Sequence, residues 1–208
     1  MDDDFIEPRF ASRGRAYVYV LPCRDEDLLK VGFSREPLQR LRTLHRRFFE
    51  FFDLDRALLV EADKVALARR IERRLLTAWP EHHAPAPLVV PEAAAGYTEW
   101  YRGVGEEVTT LAHQLAVDAA LPVHQPLRNW LALRLTERAD ALYGWSEQML
   151  SQARLEREYT GLSGPFEQAL LDTLALCEAV GLSLQRWLPE DVLDWHRHGP
   201  HRALFGPR

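Results

Sequence analysis

The chain has 208 residues, of which 47% are hydrophobic and 27% are charged, and its formal net charge is −5. This composition is that of a globular protein with room for one large domain or two small ones. The acidic total argues against a strongly basic nucleic-acid binder, and no apolar run approaches the ~20 residues of a membrane span.

The first half of the chain predicts a small α+β domain. β-branched and aromatic runs at 16–21 and 28–33 are joined by a polar connection, which favours an antiparallel hairpin. An amphipathic helix follows from about residue 36, with an apolar side formed by Leu38, Leu41, Leu44 and Phe48. We then expect a strand at 55–61, a helix at 63–79 that Pro80 stops, a proline-rich loop at 80–96 and an edge strand at 97–101.

The second half of the chain has a helical pattern throughout. The spacing of apolar residues predicts helices at 106–120, 126–159, 163–181 and 189–196, the second of them as one long helix. The predicted architecture is therefore α+β. A small mixed sheet flanked by helices spans residues 1–104, and an acidic all-α domain spans residues 105–208.

One glutamate lies on the apolar side of the predicted 63–79 helix. On a helical projection, Glu72 falls between Val65 and Trp79, near the middle of the apolar stripe. A carboxylate in this position is costly unless it meets a cation, a metal ion or hydrogen-bond donors. Glu72 is therefore either half of a structural ion pair with an arginine from another element or a metal-binding carboxylate that faces the sheet.

Polar side chains follow one face of the predicted hairpin. Tyr17 and Tyr19 share a face of the first strand, Lys30 and Gly32 share a face of the second, and Arg40 follows on the next helix. A phenol, an ammonium, a guanidinium and an inward carboxylate that meet at one phosphate suit phosphodiester hydrolysis. In such a site the carboxylate holds Mg²⁺, the arginine neutralises the phosphate, and the phenol or amine manages a proton.

The order of these motifs resembles that of the GIY-YIG endonuclease superfamily. The motifs are Tyr17-Val18-Tyr19, Lys30-Val31-Gly32, Arg40, Glu72 and Glu99-Trp100-Tyr101, and they span roughly Ala16 to Arg102. They look closest to the phage and bacterial branch in which K-[IV]-G replaces Y-I-G and a Glu-Trp-aromatic segment follows. The resemblance implies an endonuclease that uses one Mg²⁺ or Mn²⁺ ion to cleave nucleic acid, with DNA as the expected substrate.

The resemblance also implies roles for single residues. Tyr19 would be a general base or would position the nucleophile, Arg40 would bind the scissile phosphate, and Glu72 would hold the cation. Tyr17 belongs to the same motif as Tyr19. Glu99 is a second candidate metal ligand, and its alternative role is to cap a sheet edge.

The sequence departs from the usual family pattern at two positions. Lys30 stands where most members have the second tyrosine, and Leu44 stands where many have a histidine. An ammonium at position 30 can hold a phosphate as a point charge, but it acts as a base only if its pKa is lowered. The missing histidine leaves open which residue assists proton transfer.

Basic residues are concentrated around the predicted site. Residues 1–104 carry 17 basic and 17 acidic side chains, residues 105–208 carry 9 and 14, and the stretch 35–74 carries 11 and 7. The arginines expected to contact a nucleic-acid backbone are Arg42, Arg46, Arg47, Arg69 and Arg73. The alternative is that these arginines form the solvated faces of two amphipathic helices.

The remaining expectations concern partners and location. The negative charge of residues 105–208 favours contact with protein over DNA, through homodimerisation or a partner protein. Two distant cysteines, Cys23 and Cys177, and an acidic start unlike a signal peptide lead us to expect a cytoplasmic protein with free thiols. The alternative functions are a catalytically inactive nuclease-like module that binds nucleic acid or a protein partner, and a structural scaffold.

Overall fold

The computed structural model of the protein describes residues 13–96 and 99–200. The chain divides into two compact units, Met1–Trp130 and Leu131–Arg208. This boundary lies later than the one predicted after residue 104. The reason is that a helix at Gly105–Asp118 and a strand at Val123–His124 pack with the sheet of the first unit.

The first unit is built on a five-stranded sheet. Its strands are β1 (Arg13–Pro22), β2 (Leu28–Ser34), β3 (Leu58–Lys64), β4 (Trp100–Arg102) and β5 (Val123–His124). Their order across the sheet is β4-β2-β1-β3-β5, and every neighbouring pair is antiparallel. The predicted α+β class is confirmed, but the sheet is not mixed. β2 and β3 run in the same direction, but β1 lies between them, so the described strands form no parallel pair.

The described residues contain nine α-helices. They are α1 (Pro37–Leu44), α2 (Phe48–Phe51), α3 (Val65–Leu76), α4 (Glu92–Ala95), α5 (Gly105–Asp118), α6 (Leu127–Thr136), α7 (Ala139–Thr160), α8 (Pro165–Ala179) and α9 (Glu190–His198). The single helix predicted at 126–159 is wrong, because the chain forms α6 and α7 with a break at residues 137–138. The helix predicted to reach Phe48 ends at Leu44, since His45 adopts an extended backbone.

The strands are close to the predicted positions. The hairpin of β1 and β2 is confirmed, and the predicted third strand is displaced by about three residues to Leu58–Lys64. Tyr97 and Thr98, the start of the predicted edge strand, lie outside the described residues, and β4 covers Trp100 and Tyr101 of the rest.

The two faces of the sheet have different roles. On one face, buried valines of β1, β2 and β3 pack against Ala68, Ile71 and Leu75 of α3 and against α5. Because side chains alternate along a strand, Tyr17, Tyr19 and Lys30 point to the opposite face. This separation lets the first face supply hydrophobic stability while the second carries polar side chains.

The second unit is helical and contains α7, α8 and α9. Glu167 of α8 is 1% exposed and accepts hydrogen bonds from the Nη2 (2.8 Å) and Nε (3.2 Å) atoms of Arg157 of α7. This bidentate pair satisfies the buried carboxylate. Of the helices within residues 13–96 and 99–200, none combines the length and apolar character needed to cross a membrane.

Candidate active site

Tyr19 and Arg40 are in direct contact. Tyr19 lies in the middle of β1 and is 2% exposed, and the Nε atom of Arg40 on α1 donates a hydrogen bond to its hydroxyl oxygen at 3.3 Å. Arg40 also donates from Nη2 to the carbonyl oxygen of Ala94 at 3.0 Å. A guanidinium has five N–H donors, so three remain available beyond these two contacts with described residues.

The strand opposite Tyr19 makes room for its ring. Tyr19 pairs with Gly32 across the β1–β2 ladder. A Cβ atom at Gly32 would lie 2.6 Å from Cζ of Tyr19 and 2.8 Å from Cε2, and it would also overlap the hydroxyl oxygen. Glycine at position 32 therefore allows the ring of Tyr19 to lie across β2 and its hydroxyl to reach Arg40.

Lys30 is held by the Glu-Trp-aromatic segment. Its side chain is fully buried, and Nζ donates to Oε2 of Glu99 at 2.6 Å. Nζ also lies 5.1 Å from the centroid of the Trp100 ring, a cation–π geometry. Burial lowers the pKa of Lys30, while the hydrogen bond that Lys30 donates to Glu99 and the charge of that carboxylate raise it.

Glu72 of α3 lies at the open part of the β2 edge. β4 pairs with β2 only as far as Lys30, and the backbone of Phe33, which lies beyond that ladder, acts to lower the pKa of the Glu72 carboxyl. Burial and the nearby charge of Glu99 raise the pKa of Glu72 to about 7, while Arg69 and Lys30 oppose this shift. Glu72 forms no ion pair with an arginine of residues 13–96 or 99–200.

Electrostatic interactions connect these five residues. The pKa of Tyr19 is raised to about 12, chiefly by burial. The charges of Glu99 and Glu72 also raise it, whereas Arg40 lowers it. Lys30 in turn is affected by Glu99, Arg40 and Glu72. The predicted residues Tyr19, Lys30, Arg40, Glu72 and Glu99 therefore lie close together, although five different segments supply them.

Tyr17 shares the sheet face of Tyr19 but has a different neighbour. Its ring is 6% exposed and packs edge-on against Trp130, with 5.5 Å between the ring centroids. Tyr17 pairs with Glu61 of β3, whose carboxylate contacts His124 (2.8 Å) and Arg15 (3.3 Å). The contacts of Tyr17 are therefore those of a packed aromatic residue at the β3 side of the site.

The five predicted nucleic-acid-binding arginines differ in solvent exposure and in the contacts that they make. Arg42, Arg46, Arg69 and Arg73 are exposed. Arg47 is half-buried, forms an ion pair with Glu50 at 2.7 Å and lies over the ring of Phe49. Arg69 lies over the ring of Phe33, one turn of α3 from Glu72. Arg69 thus adjoins the site and Arg73 lies exposed on the same helix, whereas Arg47 is engaged by its neighbours.

The side chains present fit a cation that is held by few protein ligands. Within the described parts of the chain, no group of three or more His, Cys, Asp or Glu residues could hold a metal ion. Mg²⁺ commonly binds through one or two carboxylates, with water and substrate phosphate as the other ligands. Glu72 meets that need, because its carboxylate is partly desolvated and forms no ion pair with a described residue, although the charges of Arg69 and Lys30 act on it.

Sequence reasoning missed two supporting residues, Ala94 and Gly96, and named Trp100 only as part of the Glu-Trp-aromatic motif. Ala94 contributes only its carbonyl oxygen, which no side-chain pattern reveals. Gly96 has φ +66°, and a Cβ there would lie 2.6 Å from the carboxyl carbon of Glu99. Trp100 is fully buried beneath Lys30, and its ring stacks on Phe52 with 6.5 Å between centroids. A glycine shortly before the Glu-Trp pair was the one available sequence signal.

Comparison with models of protein families, with curated proteins and with solved structures gave no match. The function is therefore inferred from the residues of the site and their geometry.

Proposed function

We propose that the first unit is a metal-dependent endonuclease that hydrolyses phosphodiester bonds in nucleic acid, with DNA as the expected substrate. The observation that supports this proposal is the convergence of Tyr19, Lys30, Arg40, Glu72 and Glu99 around the β2 edge of the sheet. Lys30 and Glu99 alone are 69 positions apart in the chain. The convergence joins the anion-binding, cation-binding and proton-handling groups that the GIY-YIG resemblance implies.

Arg40 is suited to hold the scissile phosphate. Its Nε and one Nη2 donor fix the guanidinium against Tyr19 and Ala94, and the remaining three N–H groups can bind phosphate oxygens. A fixed cation at this position stabilises the charge that develops on the phosphate during hydrolysis. Because its orientation is set before substrate arrives, little reorganisation is needed in the transition state.

Tyr19 and Glu72 complete the proposed reaction centre. Tyr19 is a neutral phenol at ordinary pH, since its pKa is about 12, and it has its own proton to donate to a bound oxygen. Glu72 would hold the Mg²⁺ or Mn²⁺ ion. When bound, such an ion polarises the phosphate and lowers the pKa of coordinated water. Exposed Arg69 and Arg73 on the same helix would bind neighbouring phosphates.

The test is cleavage by the full-length protein of supercoiled plasmid, single-stranded DNA and RNA, with Mg²⁺, with Mn²⁺ or with chelator. We expect cleavage that stops with chelator, and a loss of about 10²- to 10³-fold or more in R40A. E72Q should lose cleavage while keeping its circular dichroism spectrum. Matched controls are R102A and E26Q, which disrupt an exposed ion pair of 3.4 Å in the same unit.

Two results would contradict this proposal. Cleavage at the wild-type rate by R40A or E72Q would mean that the activity does not come from this site. Salt-dependent oligonucleotide binding without cleavage of any substrate would instead support the inactive nucleic-acid-binding module.

A further inference from the structure

Lys30 does not present its charge to solvent. Its side chain is 0% exposed, whereas the side chain of Glu99, its ion-pair partner, is 28% exposed. The Trp100 ring lies against the same ammonium group. A phosphate that approaches this part of the site therefore meets the carboxylate of Glu99 before it can meet Lys30.

Glu99 is fixed by its backbone as well as by Lys30. Its carbonyl oxygen accepts a hydrogen bond of 2.8 Å from the backbone N–H of Val31, which continues the β2–β4 ladder. Oε2 takes the hydrogen bond from Lys30, while Oε1 has no partner among the described residues. One carboxylate oxygen is thus anchored, and the other can accept a proton.

Neither Tyr19 nor Lys30, the other two groups expected to handle a proton, has the geometry of a base. The hydroxyl of Tyr19 is 2% exposed and already accepts a hydrogen bond from Arg40, and burial raises its pKa to about 12. Lys30 is enclosed and bound to a carboxylate. Hydrolysis of a phosphodiester nevertheless requires a group that removes a proton from the attacking water.

We propose that Glu99 is the general base of the reaction and that Lys30 is a positioning residue that holds its carboxylate. Oε1 of Glu99 takes a proton from water, and the water oxygen forms a bond to phosphorus as the ester bond from phosphorus to the leaving oxygen breaks. The leaving oxygen takes a proton from solvent, and Glu99 later returns its proton to solvent. This assignment rests on the proposed nuclease function.

The test compares the full-length wild-type protein with E99Q, K30M, the K30M/E99Q double variant and the control E26Q. Single-turnover cleavage of a labelled DNA oligonucleotide is measured in Mg²⁺, and oligonucleotide affinity is measured by fluorescence anisotropy in Ca²⁺ at several salt concentrations. E26Q is matched because it also removes a charge from an ion-paired glutamate of the first unit, but one that is 52% exposed.

We expect E99Q to slow cleavage by about 10²- to 10⁴-fold without weakening affinity, since a general base acts only in the chemical step. K30M should slow cleavage while leaving both the affinity and its salt dependence unchanged. The double variant should be no slower than E99Q, because Lys30 acts through Glu99. If K30M fails to fold, E99D serves instead, because it draws the carboxylate away from Lys30 and should also slow cleavage.

The results that would contradict the role of Glu99 differ from those that would contradict the nuclease function. Wild-type cleavage by E99Q contradicts this inference and leaves the nuclease function standing. Weaker binding by K30M with a salt slope reduced by about one would show that Lys30 contacts a phosphate directly. A wild-type protein that cleaves no nucleic acid, with R40A and E72Q equally inactive, contradicts the proposed function and this inference together.

Discussion

Replacing Gly32 by alanine tests whether the close approach of Tyr19 to β2 organises the site. The added Cβ would lie 2.6 Å from Cζ and 2.8 Å from Cε2 of Tyr19. Contacts between carbon atoms are normally near 3.5 to 4.0 Å, so the ring has to move by about 1 Å. Tyr19 is 2% exposed, so its ring has to move among packed neighbours.

The expected cost follows from these contacts. Overpacking of a well-packed core costs about 1–3 kcal/mol, and weakening the hydrogen bond between Arg40 and Tyr19 adds about 1 kcal/mol. Alanine recovers about 0.5–1 kcal/mol because it is less flexible than glycine in the unfolded chain. We therefore expect G32A to destabilise the first unit by about 2 kcal/mol, which is about a 30-fold change in the unfolding equilibrium.

Hydrogen–deuterium exchange read by mass spectrometry measures this effect separately for each unit. Peptides of β1 and β2 should exchange about 30-fold faster in G32A than in the wild-type protein. The matched control is G144A, on an exposed position of α7 where an added Cβ meets nothing within 4 Å. It should slow exchange in α7 slightly, since alanine favours a helix by about 1 kcal/mol. Equal or slower exchange of β1 and β2 in G32A would refute the steric reasoning.

Three further predictions concern titration and ion pairing. Without divalent ions, the folded carboxyl of Glu72 binds its proton more tightly than the unfolded one, because its pKa is about 7 against 4.5. Its contribution to stability is fully present below about pH 4.5 and is lost as the pH rises to about 7, and E72Q should remove this dependence from thermal unfolding curves. The effect is at most about 3 kcal/mol and is reduced by partial solvation. Burial raises the pKa of Cys23 to about 12, so the thiol should react with Ellman's reagent at pH 8 only when the protein unfolds. R157A should destabilise α7 and α8 by about 3 kcal/mol, because it leaves the buried carboxylate of Glu167 unpaired.

Each of these predictions has a result that would contradict it. Identical pH dependence in wild type and E72Q would mean that Glu72 does not titrate near neutrality. Rapid labelling of Cys23 in the native protein would be inconsistent with its burial. If the double variant R157M/E167Q is no more stable than R157A, an unpaired charge is not the cause of the loss.

The amino-acid sequence by itself determined the features that depend on near neighbours. Alternation along β1 separates Tyr19 from Val18, so the polar and apolar faces of the sheet follow from a period of two. The period of α3 similarly predicts Glu72 within its apolar stripe, where it is half-buried, with Arg69 one turn away. These relationships depend on local backbone geometry, and the structure reproduces them.

The breaks between helices were decided by tertiary packing. No glycine or proline marks residues 137–138, where α6 ends and α7 begins, and the helical period continues through them. The helix α5 also belongs to the first unit because it covers the sheet, although its charge and its helical pattern resemble those of the second half. Local propensity does not specify which surface an amphipathic helix will cover.

The role of Lys30 likewise depended on the tertiary structure. The sequence predicted an ammonium beside the site and a separate Glu-Trp-aromatic segment near a sheet edge. Only the register that pairs Lys30 with Trp100 brings Glu99 to the ammonium, across 69 positions of the chain. Strand register between distant segments is set by the burial of whole faces, and a shift of one residue would turn Trp100 away from the core. That pairing converts Lys30 from an exposed point charge into a buried partner of Glu99.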